Sequence, residues 1–179
     1  MVAGSPDFAE VRADDHGEPL DEPLTMSPKD PKSNDQIDSY VIVRGVERPS
    51  RYIGDEFGVP RGRPDTGGLS VVLGFPDVYE VGMSHLGFRL LHGTLADRPD
   101  IRVERVFLPW PDLQRRLLEL PLPLQSLESS TPVADFDLLG LSVQYELSYA
   151  AVLRLLDLAR VPRRAAQRRA AGRAYPLVL

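Results

Sequence analysis

The sequence predicts an α/β protein of the flavodoxin or Rossmann type, with an open parallel sheet of about three to four strands. Two short, nearly continuous apolar runs, 69–75 and 137–143, have the pattern of strands buried on both faces, as in parallel sheets. An alternating run, Ile101-Arg-Val-Glu-Arg-Val-Phe107, fits a strand at or near the sheet edge. Helical periodicities separate these runs, and strand–helix alternation is the grammar of right-handed crossover units.

Each element has a local reason. Pro64-Asp-Thr-Gly-Gly68 is a turn-rich lead into Leu69-Ser-Val-Val-Leu-Gly-Phe75. Leu86, Leu90, Leu91 and Leu95 then recur at helical spacing behind Ser84, a candidate N-cap. Pro111 opens the next helix, with Leu113 and Leu117 on one face. Leu147, Val152, Leu155, Leu156 and Ala159 make one stripe of a further helix that Pro162 ends. Tyr175-Pro-Leu-Val-Leu179 has the pattern of an opening strand, so the sheet is expected to be incomplete, with an uncovered apolar edge that favours dimerisation or poor solubility.

The 179 residues carry 26 acids against 21 bases, for a net charge of −5. Ten of the acids and five prolines fall within residues 1–40, which hold only three bases. Such a stretch buries too little to offset its ordering entropy, so residues 1–47 are expected to form an acidic disordered tail ahead of an α/β domain over 48–179. No run approaches the ~20 apolar residues of a membrane span, and no secretory leader pattern is present, so a cytoplasmic protein is expected. The chain has no cysteine, which excludes disulfides, thiolate-held clusters and cysteine nucleophiles within it. Arg163, Arg164, Arg168, Arg169 and Arg173 form a basic run without interleaved aromatics. A solvated helix face is expected there, not a nucleic-acid contact.

In the 2-1-3-4-5 order of flavodoxin-like sheets, ligands sit at the carboxyl ends of the first and third strands. The loops over 75–84 and 143–149 therefore carry the candidate site. The first contains neither G-x-G-x-x-G nor a P-loop. In it, Asp77 either faces a ligand or fixes the turn after Pro76, His85 either reaches the crevice or sits half-exposed at a helix start, and Gly82 serves close backbone approach. In the second, Gln144 and Glu146 are polar groups that either face a ligand or cap the next helix. Trp110 either stacks on a planar ligand or anchors the core, and His92 is a surface or packing residue.

The first loop, Asp77-Val-Tyr79-Glu-Val-Gly82, resembles the D-x-H-x-x-G loop of cobalamin-binding α/β domains, with Tyr79 in place of the histidine that ligates cobalt from below. The second resembles their S-x-L segment, keeping Ser142 and replacing the leucine with Gln144. The blocks Arg51-Tyr-Ile-Gly54, Phe75–Gly87, Glu104-Arg-Val-Phe107, Pro109-Trp-Pro-Asp112, Ser126-Leu-Glu-Ser129 and Asp137–Tyr149 together resemble the N-terminal region of a bacterial family of radical SAM proteins. The resemblance spans about residues 48–162. It implies a cobalamin-binding-like accessory domain contacting the corrinoid through Asp77, Tyr79, Gly82, His85, Ser142, Gln144 and Glu146. It also implies a catalytic barrel as partner, holding a [4Fe–4S] cluster and S-adenosylmethionine. On this reading the chain is a fragment without its own catalysis, because it has no cysteine for the cluster. The alternative is a non-catalytic binding or scaffold domain that has lost the corrinoid site.

Overall fold

The computed structural model describes residues 42–54 and 68–179; residues 1–41 of the predicted acidic tail lie outside the described residues. Residues 42–47, expected to belong to the same tail, instead place Ile42, Val43 and Val46 in the core, because these apolar side chains pack under the sheet. Four strands form one sheet in the order β2-β1-β3-β4: β1 (Leu69–Phe75), β2 (Ile101–Phe107), β3 (Leu138–Leu141) and β4 (Leu177–Val178). Every pairing is parallel, with Val71 opposite Val103 on one side of β1 and opposite Leu138 on the other. β1 and β3 are therefore central neighbours and β2 an edge strand, as a flavodoxin-like order requires.

Between the strands lie α1 (Tyr79–Ser84), α2 (Leu86–Ala96), α3 (Pro111–Glu119), α4 (Ser148–Leu158) and α5 (Ala165–Ala170). None of the described helices is long and apolar enough to cross a membrane. The pleat divides the core between the two faces of the sheet. Val71, Leu73, Phe75 and Val103 pack with Phe88 of α2, while Val72, Val106 and Leu139 pack with Leu113 and Leu117 of α3 and Leu155 and Leu156 of α4. Phe88 is fully buried, a contribution of roughly 2–3 kcal/mol by transfer arguments.

Three local expectations are corrected. Most of the leucine stripe of α2 faces outward: Leu86, Leu90 and Leu91 are exposed, only Leu95 packs partly against the core, and the buried positions are Phe88 and His92, four residues apart. Periodicity alone cannot say which face the sheet will cover, and the aromatic wins the core. Ser84 ends α1 and donates to the Val81 carbonyl; the N-cap of α2 is His85, whose Nδ1 accepts from the Phe88 N–H at 3.2 Å. Leu147, placed on the buried stripe of α4, is 84% exposed, and α4 stops at Leu158, ahead of Pro162.

The edge strand β2 is not left bare. The segment 126–131 runs beside it, with the Leu127 N–H donating to the Arg105 carbonyl at 2.8 Å. The Glu128 carboxylate accepts from the Arg105 N–H (2.7 Å) and Nε (2.6 Å). On the opposite face of β2, buried Glu104 accepts from Ser129 Oγ at 2.7 Å and pairs with Arg102. Desolvation pushes the Glu128 carboxyl above the usual range against the nearby Arg105 charge, and the charge of Glu104 adds to the rise. His92 packs beside this pair, its Nε2 4.0 Å from Glu128 Oε1. It is a packing residue of the α2 face.

Candidate functional site at the carboxyl rim of the sheet

β1 and β3 end together: Gly74 lies opposite Leu141, and the Ser142 N–H donates to the Gly74 carbonyl at 2.9 Å. The chain leaves both strands on the same rim, so the loops at 76–85 and 142–147 flank the point where connections turn in opposite directions. Ligands of open α/β sheets gather at such points.

On the β1 side the loop expected from the sequence is largely the helix α1, and its candidate residues have structural partners. Asp77 Oδ1 accepts from the Val78 N–H at 2.7 Å, fixing the turn after Pro76, while its carbonyl accepts from the Leu108 N–H at 3.0 Å. The Tyr79 ring packs edge-on against Phe107, 5.4 Å between centroids. Gly82 lies so close to Phe107 that a Cβ there would be 2.4 Å from the ring, which is why only glycine fits. His85 packs 5.5 Å from Phe75 while capping α2.

These contacts decide a chemical question. Because Nδ1 of His85 accepts an N–H, the neutral ring carries its proton on Nε2 and has no lone pair there for a metal. Tyr79 offers a phenol packed on Phe107, not an imidazole. The two residues do not fit the role of a histidine below cobalt. Among the described residues no three His, Asp or Glu side chains gather as a metal site.

On the β3 side, Ser142 Oγ accepts from Gln144 Nε2 at 2.8 Å. Glu146 lies exposed in the turn before α4, its carbonyl accepting the Tyr149 N–H; its side chain does not cap the helix. Around them Val143, Tyr145, Leu147 and Tyr149 are all exposed.

A third group lies at the end of β2, where sequence pattern singles out Trp110 but gives no role to Arg51, Tyr52, Glu80 or Asp112. Arg51 is buried and pairs through Nε with Glu80 Oε1, and its guanidinium lies 4.6 Å over the Trp110 ring. Trp110 Nε1 donates to Glu80 Oε2 at 3.2 Å, and the Trp110 N–H donates to the Tyr52 hydroxyl at 3.2 Å. Trp110 is thus neither core anchor nor free platform: 38% exposed, it precedes α3 and is held by Arg51 and Glu80. Burial pushes the Tyr52 hydroxyl up to about 12. Desolvation works to raise the Glu80 and Asp112 carboxyls, but donors around them and the Arg51 charge outweigh it, so both lie below the usual range. Beside this group a mostly apolar cavity of about 60 Å³ opens between Val43, Tyr79, Phe107, Leu113, Leu117 and Leu124.

The family model for the N-terminal region of radical SAM proteins matches residues 87–179, just over half the chain. The chain belongs to that family. No curated protein and no solved structure matches it. The family match covers α2 through β4, including the exposed rim of 143–149 and the Ser126–Ser129 segment, and starts beyond β1 and α1. In complete radical SAM proteins the family implies an iron–sulfur cluster and S-adenosylmethionine. This chain has no cysteine to ligate such a cluster, so its own residues do not fit that role.

Proposed function

We propose that this chain is a non-catalytic α/β docking domain of a radical SAM enzyme, and that the rim formed by 143–149 seats the domain or subunit that carries the cluster. The supporting observation is the state of that rim. Leu147 is 84% and Tyr149 62% exposed at the one place on the sheet where α/β proteins meet their ligands. Aromatic and leucine side chains grouped this way are the residues that anchor interfaces. Family membership supports a cluster-bearing partner, since this chain has no cysteine to hold a cluster of its own.

The test is co-purification of the whole chain with a cysteine-bearing radical SAM catalytic domain of the same family. Retention of the complex through gel filtration, lost in Leu147→Asp, is the expected result. A catalytic domain that elutes separately from the unaltered chain rejects the reading.

Corrinoid binding is the second reading, favoured by the placement of both candidate loops at the β1/β3 switch point. On it, Asp77, Tyr79, Gly82, His85, Ser142, Gln144 and Glu146 line the corrinoid, with no imidazole from Tyr79 or His85 beneath the cobalt. Hydroxocobalamin retained by the chain after gel filtration, with an unligated lower face in its absorption spectrum, supports this; pigment lost on the column does not.

A further inference from the structure

The group around Arg51 is absorbed by neither reading above. Arg51 belongs to the short 3₁₀ turn Pro49–Arg51 and comes to rest at the carboxyl end of β2, where it lines the cavity described above. Its side chain is 9% exposed. Glu80 takes Nε and the Trp110 face holds the plane, while among the described residues neither Nη has a hydrogen-bond partner. A guanidinium carries five donors and no acceptor, and neither Nη is among the solvent-inaccessible atoms without a partner, so these hydrogens face space that water or a ligand can enter.

The neighbouring acceptors are already committed. Glu80 receives Arg51 Nε and Trp110 Nε1 on separate oxygens. Asp112 receives the Glu47 N–H at 2.9 Å on one oxygen, and the Leu113 N–H and the Tyr52 hydroxyl on the other. The surplus at this site is therefore of donors. The surplus is not of positive charge, because one guanidinium faces two carboxylates. An incoming anion would find no net attraction, whereas a neutral acceptor would find unshared N–H groups beside an apolar wall.

We infer that this cavity binds a small uncharged molecule with a short apolar body ending in a carbonyl-type acceptor. The body packs among Val106, Leu113, Leu117 and Leu124, and the acceptor takes the Nη hydrogens of Arg51. The volume sets the scale. Interiors are close-packed, with few voids larger than a water, and about 60 Å³ holds only a few carbon atoms. A branched three- or four-carbon amide is the natural size.

Titration of the methyl-labelled whole chain with isobutyramide, followed by NMR, tests this. Saturable shifts of the Val106, Leu113, Leu117 and Leu124 methyls, without shifts at Leu147, are expected. Isobutyrate, of the same shape but charged, should bind at least about ten-fold more weakly, a difference of ~1.4 kcal/mol. Arg51→Lys keeps the charge but loses the forked donors and should cost a similar factor. Leu117→Phe, which fills the cavity while leaving Arg51 in place, should abolish the shifts and covers the case in which the Arg51 variant does not fold. Absence of saturable shifts, equal binding of isobutyrate, unchanged affinity in Arg51→Lys or binding retained in Leu117→Phe each overturns the inference.

Discussion

The two halves of the carboxyl rim differ in how their side chains are spent. At the ends of β1 and β2, Arg51, Tyr52, Asp77, Glu80, Trp110 and Asp112 bond to one another or to nearby backbone, drawing three separate chain segments together. At the end of β3 the bond between Gln144 and Ser142 is local, and large apolar groups stand in solvent. One half of the rim is finished within the chain; the other has the composition of an interface core without a cover. The contrast teaches where to look for macromolecular partners: the first half leaves over only the Nη donors of Arg51 beside a small cavity, whereas the second presents a surface.

If the first half is a stabilising structure and the second a binding surface, substitutions must separate the two properties. The largest stability loss is expected from Glu128→Ala, which removes the carboxylate that meets both the backbone and the side chain of buried Arg105. The cost should be about 3–5 kcal/mol, read as a fall in the denaturant midpoint. Gly82→Ala comes next at about 1–3 kcal/mol, because Phe107 is backed by Phe88 and Tyr79 and cannot retreat from the new methyl. Calorimetry that finds Gly82→Ala as stable as the unaltered chain would show the rim to be looser than described.

Glu80→Gln should cost less, about 0.5–1 kcal/mol, since Glu80 is substantially exposed and its ion pair is screened. It also makes a pH test. The folded-state carboxyls of Glu80 and Asp112 lie below their ordinary values. Their contribution is present above the ordinary carboxylate range and is lost as pH falls through the lower folded values. Glu128 runs the other way: its raised carboxyl takes a proton first in the folded state, so its unfavourable contribution lessens as pH falls toward the ordinary value. Stability measured from about pH 5 down to about pH 2 should fall less steeply in Glu80→Gln than in the unaltered chain. Parallel curves would remove Glu80 from the knitted half.

The smallest stability effect belongs to the other half. Leu147→Asp should change the unfolding free energy by less than about 0.5 kcal/mol, since the side chain is almost fully exposed, while weakening partner binding at least about ten-fold. A large stability loss would mean that Leu147 is buried after all within the chain.

Much of the fold could be read from local pattern. The Val-Val-Leu run of β1 and the short apolar run of β3 announce buried strands, the alternation of elements gives a parallel sheet, and a flavodoxin-like order sets β1 beside β3. The candidate site was less legible. Asp77, Gly82 and His85 are at the predicted rim, yet each is engaged in holding its own turn or helix start, because the same short polar side chains and glycines serve turns and ligands alike. The sequence does not mark α1 as a helix, because six residues with an internal glycine carry too little periodicity. A tryptophan between two prolines reads as core anchor or as ligand platform, and the partnership of Trp110 with Arg51 and Glu80 depends on residues far away in sequence.

What the amino-acid order determined by itself is the succession of strands and helices, their parallel pairing, and the lack of any thiolate for a metal cluster. These follow from nearest-neighbour propensity, from the handedness of crossovers and from composition. What only the tertiary structure decided is which face of α2 is buried, how 126–131 covers the β2 edge, which nitrogen of His85 is free, and that Arg51 lies over Trp110. Those outcomes rest on desolvation and on partners such as Tyr52 and Trp110, which are 58 residues apart and are brought together by the tertiary fold. No local pattern encodes the charge or the solvent that a side chain will find there.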